Sequence, residues 1–295
     1  MLGPAAPPSV ADAATAPLAP TLDLGGRRYD LSHRALVMGI LNRTPDSFYD
    51  KGATYALDKL YARAEQLVDD GADILDIGGV KAGPGPEVTE AEEMERVVPV
   101  VAGLVQRFDT PVSVDTWRAS VARASYAAGA VMGNDISGLG DPDYAPAAAE
   151  HGAAVVITHI RLKPRVADPE PHYDDLVPDV ARFLRERAGG ARAAGVPAER
   201  IVLDAGLDLG KTAEQSLTLL RASRPLAGLG FPLLLSASNK TFLGQILDLE
   251  LTERREASLG AAALGIAWGC RLLRVHDVLG TRRVRDALAA IGEAS

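Results

Sequence analysis

Asp70-Gly-Ala-Asp-Ile74, Ala128-Gly-Ala-Val-Met132 and His151-Gly-Ala-Ala-Val155 are near-copies of one another, and Trp268-Gly-Cys-Arg271 is a looser fourth. In each, a glycine closes a helical pattern and an apolar run opens directly behind it. Glycine takes the left-handed backbone that ends a helix without a Cβ clash, so these strings read as helix-to-strand junctions. Working outward from them, short apolar runs alternate with helical patterns from Leu36 onward, the signature of repeated βα units and a parallel sheet. The strand candidates are Leu36–Leu41, Ile74–Ile77, Val112–Val114, Val131–Gly133, Ala154–Thr158, Ile201–Leu203, Pro232–Leu235 and Leu272–Val275. Eight units with no strand left over predict an α/β protein built as a single (β/α)8 TIM barrel. An open α/β sheet with extra edge strands is the competing arrangement, and unpaired first and last strands would mark it.

The chain of 295 residues, 47% hydrophobic, suffices for one such domain, which needs roughly 250 residues. Met1 to about Leu22 is mostly Ala, Pro and small polar residues, with too little apolar surface to offset the entropy of ordering, and reads as a disordered tail before a domain spanning 23–295. The stretch Leu22–Leu31, with Gly25-Gly26 between two short alternating runs, predicts a short N-terminal hairpin covering the barrel bottom. A formal net charge of −8 with no Lys/Arg run argues against a nucleic-acid partner. No apolar run reaches the roughly 18 residues of a membrane span, and the N-terminus lacks the basic-then-apolar order of a signal peptide. Together with a single cysteine, Cys270, read as a small core residue, this predicts a soluble cytoplasmic protein.

Barrel enzymes build their sites from the C-terminal ends of their strands. Here those positions carry Asn42, Asp76, Asp115, Asn134 with Asp135, His159, Asp204, Ser236 through Lys240, and Arg274 with His276. A lone aspartate at a strand end often caps the following helix, and for Asp76 and Asp135 that reading carries as much weight as a catalytic one. Asp115, Asn134 and Asp204 offer acceptors and an amide suited to the edge of a flat heterocycle. Lys240, Arg274 and His276 suit a phosphate or pyrophosphate group, and the Asn42 amide suits that anion or a magnesium ion. A surface salt bridge is the lesser alternative for Arg274 and His276. Gly206-Leu-Asp-Leu-Gly210-Lys-Thr212 looks like a phosphate loop, but it has three residues between its glycines where the motif needs four. His151, His159 and His172 lack metal-site spacing, and His151 reads as a helix-end residue.

Gly39-Ile-Leu-Asn-Arg-Thr-Pro-Asp-Ser-Phe48 resembles GILNVTPDSF, the first-strand signature of the dihydropteroate synthases. Asp76-Ile-Gly-Gly79, Ser113-Val-Asp-Thr116, Asn134-Asp-Ile-Ser-Gly138, Leu203-Asp204 with Gly210-Lys211, Ser238-Asn-Lys240 and Arg274-Val-His276 agree with that family in order. The resemblance covers about Leu22 to the C-terminus. It implies pterin contacts at Asp115, Asn134, Asp204 and Lys240, and a pyrophosphate pocket at Asn42, Arg274 and His276, with Asn42 also touching Mg2+. Catalytic roles would then fall to Asn42, Asp115, Lys240, Arg274 and His276. The implied reaction joins 4-aminobenzoate to 6-hydroxymethyl-7,8-dihydropterin diphosphate and releases pyrophosphate. The implied assembly is a homodimer paired through later helices, for which Leu251–Trp268 offers a small-residue face.

The chain departs from the family's pattern in the parts that serve the second substrate. GGESTRPG is replaced by Gly78-Gly-Val-Lys-Ala-Gly-Pro-Gly85, and DPGIGFGK by Asp204-Ala-Gly-Leu-Asp-Leu-Gly-Lys211, which puts Leu209 where an aromatic wall of the aminobenzoate site stands and adds a charge at Asp208. Ser-Arg-Lys reads Ser238-Asn-Lys240, Met-His reads Thr158-His159, and Arg43 and Lys51 are new in the first loop. Three functions therefore stand side by side. They are a dihydropteroate-forming transferase, a pterin-binding paralogue with another acceptor or none, and a pterin-dependent methyl-carrier domain, against which Lys240 and Arg274-Val-His276 argue.

Overall fold

In a computed structural model, which describes residues 21–42 and 53–293, eight parallel strands close into a barrel with helices outside and a hairpin at one end. Most of the expected tail and the first-loop residues Arg43 and Lys51 lie outside the described residues. The hairpin pairs β1 (Thr21–Leu24) with β2 (Arg27–Asp30) antiparallel around Gly25 and Gly26, both at positive φ. The barrel strands are β3 (Leu36–Asn42), β4 (Ile74–Gly78), β5 (Val112–Asp115), β6 (Met132–Asp135), β7 (Ala154–Thr158), β8 (Ile201–Asp204), β9 (Leu233–Leu235) and β10 (Cys270–Val275). Each lies within one or two residues of its expected range. Closure is direct: β10 pairs with β3 in parallel, Leu272 against Leu36 and Val275 against Gly39. The open-sheet arrangement is thereby excluded.

The helices are α1 (Ala53–Asp69), α2 (Glu90–Arg107), α3 (Ala119–Ala127), α4 (Tyr144–His151), α5 (Leu176–Ala193), α6 (Ala213–Arg221), α7 (Ser223–Ala227), α8 (Thr241–Leu247), α9 (Arg255–Ala267) and α10 (Val278–Glu293). The glycines at the quoted junctions, Gly71, Gly129, Gly152 and Gly269, all have positive φ, as the sequence reading required. His151 ends α4, its Nδ1 3.0 Å from the Ala147 carbonyl oxygen, and Cys270 is buried.

Strand side chains alternate between faces, and this sorts the residues into two cores. Val37, Leu75, Val112, Val114, Val155, Ile201 and Leu273 pack outward against the helices. Leu36, Met38, Ile74, Met132, Val156, Val202, Leu234 and Leu272 fill the barrel interior together with Leu22, Leu24 and Leu31 of the hairpin segment. The hairpin thus closes the bottom of the barrel. It is fastened there by Arg200 on Asp23 (3.2 Å) and by the Arg271 guanidinium donating to the Leu31 carbonyl (2.9 Å). Leu22 is fully buried in this plug. Leu22→Ala should therefore lower the unfolding free energy by about 2–4 kcal/mol, read from the urea midpoint. An unchanged midpoint would mean the hairpin lies outside the cooperative unit.

Candidate active site at the barrel mouth

The same alternation builds the site. Two residues beyond the interior residues Ile74, Met132, Val202 and Leu272 come Asp76, Asn134, Asp204 and Arg274, and two beyond buried Ser113 comes Asp115. Each therefore points inward as the top layer of the barrel filling, at the strand ends where such enzymes work. Residues from five strands meet around one mouth.

At its centre the Arg274 guanidinium is held between two carboxylates, Nε 2.6 Å from Asp76 Oδ2 and Nη2 2.7 Å from Asp115 Oδ2. Asn134 donates from Nδ2 to the same Asp76 oxygen at 3.2 Å. This decides two alternatives that the sequence left open. Asp76 is a fully buried ion-pair partner and caps no helix, because α2 is capped by Thr89 and Glu92 in a reciprocal capping box. Arg274 makes an interior ion pair, its side chain 16% exposed, in place of the surface salt bridge that was the lesser alternative to its anion-binding role. Asp135, the outward neighbour of Asn134, does follow its structural reading: its carboxylate accepts the Ser137 and Leu139 amides at 2.6 and 2.7 Å and shapes the turn after β6.

Charges in the mouth are perturbed mainly by burial. Burial pushes the Asp115 carboxyl up to about 7, with Arg274 pulling against it and Asp76 and Glu93 pushing with it. Burial raises Asp204 and lowers Lys240, each partly countered by the other. Burial opposes the Arg274 charge, but Asp76 and Asp115 more than offset it and hold its pKa above the ordinary arginine value. His276 is lowered to about 4 by burial and by Arg274, so its ring is neutral near pH 7. Its Nδ1 lies 3.0 Å from Ser238 Oγ, beside a cavity of about 350 Å³ lined also by Asn239, Thr252, Arg255 and Asp277.

Asp204 and Lys240 are tied through the loop after β8. The Gly206 amide donates to Asp204 Oδ1 at 2.8 Å, and the Lys240 ammonium donates to the Leu207 carbonyl. Asn42 is exposed at the end of β3, in register with Gly78. The phosphate-loop lookalike is spent internally: the Lys211 ammonium donates to the carbonyls of His159, Gly206 and Leu209 at 3.3, 2.9 and 2.9 Å, and burial lowers it to about 7. His159 packs tilted against Tyr173 and edge-on to Phe183 and is buried, which lowers it to about 3.

The sequence left Asp76 equally open between helix cap and site residue, although its spacing from interior Ile74 matches that of Asn134 from Met132. Arg165 carries no site signal in the sequence. That guanidinium donates to the carbonyls of Lys81 and Pro86 while the Arg165 amide donates to Ala82 (3.0 Å), fastening the departing loop after β4 to the loop after β7. No sequence spacing signals this contact. Leu139, Arg165, Asp208 and Asn239 are left-handed non-glycine residues, all in loops at the mouth.

The pterin-binding enzyme family matches residues 38–276. The chain is 44% identical to the dihydropteroate synthase of Bacillus subtilis (strain 168), covering 88% of this chain and 89% of that protein. It is also 44% identical to the inactive dihydropteroate synthase 2 of Mycobacterium leprae (strain TN), covering 88% and 91%. Among solved structures, Yersinia pestis dihydropteroate synthase with a sulfonamide drug superposes with a TM-score of 0.86 at 39% identity, over 93% of this chain and 100% of that one. The Xanthomonas albilineans enzyme in complex with 7,8-dihydropteroate gives a TM-score of 0.82 at 37% identity, over 94% and 100%. The fold is that of a pterin-binding barrel enzyme, and the chain belongs to the dihydropteroate synthase family.

A raised carboxyl pKa favours the neutral acid in the folded state, so this contribution is present below the ordinary value of 3.8 and is lost as pH rises through about 7. The stability of the wild type relative to Asp115→Asn should therefore fall across that window, measured by urea denaturation at stepped pH. A difference independent of pH would remove the buried-acid account of Asp115.

Proposed function

We propose that this protein binds 6-hydroxymethyl-7,8-dihydropterin diphosphate in the mouth and transfers its pterin-methyl group to the amine of 4-aminobenzoate, releasing pyrophosphate. One observation carries the reading. Two carboxylates, Asp76 fully buried and Asp115 partly so, share one guanidinium, and Asp76 Oδ1 has no hydrogen-bond partner among the described residues although it is buried inside the mouth. A buried acceptor without a donor is costly, and a flat heterocycle with N–H groups along one edge supplies what is missing.

In this reading the pterin edge donates to Asp76, Asp115 and Asp204, while Asn134 and Lys240 serve its acceptors. The methylene C–O bond breaks first, and its electron pair leaves with the diphosphate. Positive charge then spreads over the dihydropterin ring, where the carboxylates favour it. Arg274, drawn off Asp115 by the pterin, meets the departing diphosphate, and neutral His276 with Ser238 donates hydrogen bonds to it. The amine lone pair closes the C–N bond, and the amine proton passes to water. Among the described residues no three His, Cys, Asp or Glu side chains form a metal-binding group. Exposed Asn42 would offer Mg2+ one protein oxygen, and such an ion would neutralise the leaving group. A homodimer is part of the proposal, since Leu247, Leu251 and Leu264 on and beside α8 and α9 are each about half exposed; light scattering checks it.

A second reading, pterin binding without turnover, is favoured by the equal identity to the inactive mycobacterial protein and by the Arg165-fastened loop. Calorimetry with the pterin diphosphate, followed by a coupled pyrophosphate assay with and without 4-aminobenzoate, separates them. Binding with acceptor-dependent pyrophosphate release is the expected result, and tight binding with no release selects the second. Asp115→Asn should weaken pterin affinity by about 2–3 kcal/mol through poorly paired donors. Unchanged affinity would take Asp115 out of the site.

A further inference from the structure

Asp208 lies four residues beyond Asp204, on the rim of the mouth between Asp204 and Lys240. Its backbone has φ 65°, which glycine adopts freely and an L side chain rarely does. The carboxylate holds it there: Oδ2 accepts the Thr241 amide at 2.7 Å and the Phe242 amide at 3.3 Å, while the Asp208 amide is taken by Ser216 Oγ at 3.1 Å. A negative charge is thus fixed beside Lys240 and Lys211, acting on both.

An acceptor amine must reach the pterin methylene from the solvent side, so the rest of the acceptor projects outward past this rim. A carboxylate on its far end would meet the Asp208 charge and would find the Thr241 and Phe242 amides already used. An uncharged substituent meets neither obstacle. We propose that Asp208 sets the charge selectivity of the acceptor half of the site, disfavouring an arylamine carboxylate relative to an uncharged arylamine of the same shape. The inference rests on the transferase reading above and refines it.

The test compares 4-aminobenzoate with 4-aminobenzamide at saturating pterin diphosphate, in the wild type, Asp208→Asn and Asp208→Gly. Both replacements tolerate the left-handed backbone, and asparagine keeps an acceptor for the amides. The ratio of kcat/KM for the acid to that for the amide should rise on the order of tenfold in both variants, mostly through KM, because a fixed like charge has gone. Taking the ratio within each protein cancels any change in the pterin half. Should the wild type release no pyrophosphate, the transferase reading fails while the selectivity remains measurable, by calorimetric binding of each acceptor to protein loaded with pterin and inorganic pyrophosphate. A ratio that stays the same in both variants, or binding of neither acceptor by any form, would overturn the proposal.

Discussion

A guanidinium trapped between two carboxylates inside the barrel mouth is the interaction on which the site depends. Arg274 reaches Asp76 and Asp115 from the far end of the chain, and this is possible only because β10 pairs with β3 and closes the sheet. Two acids compete for one base, and burial pushes Asp115 toward its neutral form. Such clusters are weak sources of stability, since desolvation consumes most of what the ion pairs return. Their value here is chemical. Asp115 is poised by burial, Asp76 keeps one oxygen without a partner among the described residues, and Arg274 is the only arginine contacting both acids there. A ligand that donates to the acids and presents an anion to the arginine relieves all three conditions at once.

Much of this was legible in the chain because the fold repeats. Helix-ending glycines and period-two apolar runs are local signals, so the eight strands and the hairpin could be read with errors of one or two residues. Convergence of Asp115, Asn134, Asp204 and Arg274 followed from their places at strand ends. What was not legible came from contacts between loops. Asp76 stayed open between helix cap and site residue because a strand-end aspartate has two uses, and only the capping of α2 by Thr89 separates them. The fastening of the loop after β4 by Arg165 spans about eighty residues and obeys no period.

The substituted loops are not idle. Where the family's pattern reads Ser-Thr-Arg, a short Gly- and Pro-rich stretch is tied down by Arg165. Where it reads glycine, Asp208 accepts strain to cap the start of α8. Both changes lie on the solvent side of the Asp76–Arg274–Asp115 cluster, whose three residues match the family's pattern. The chain is equally similar, at 44% identity, to a synthase and to a protein named inactive dihydropteroate synthase 2.

A crystal structure of the protein with a pterin bound tests the central claim most directly. The ring should lie inside the mouth with N–H groups on Asp76, Asp115 and Asp204, and Arg274 should move off Asp115 toward the anion side. A pterin seated elsewhere, or seated there with the Asp76–Arg274–Asp115 contacts unchanged, would contradict it.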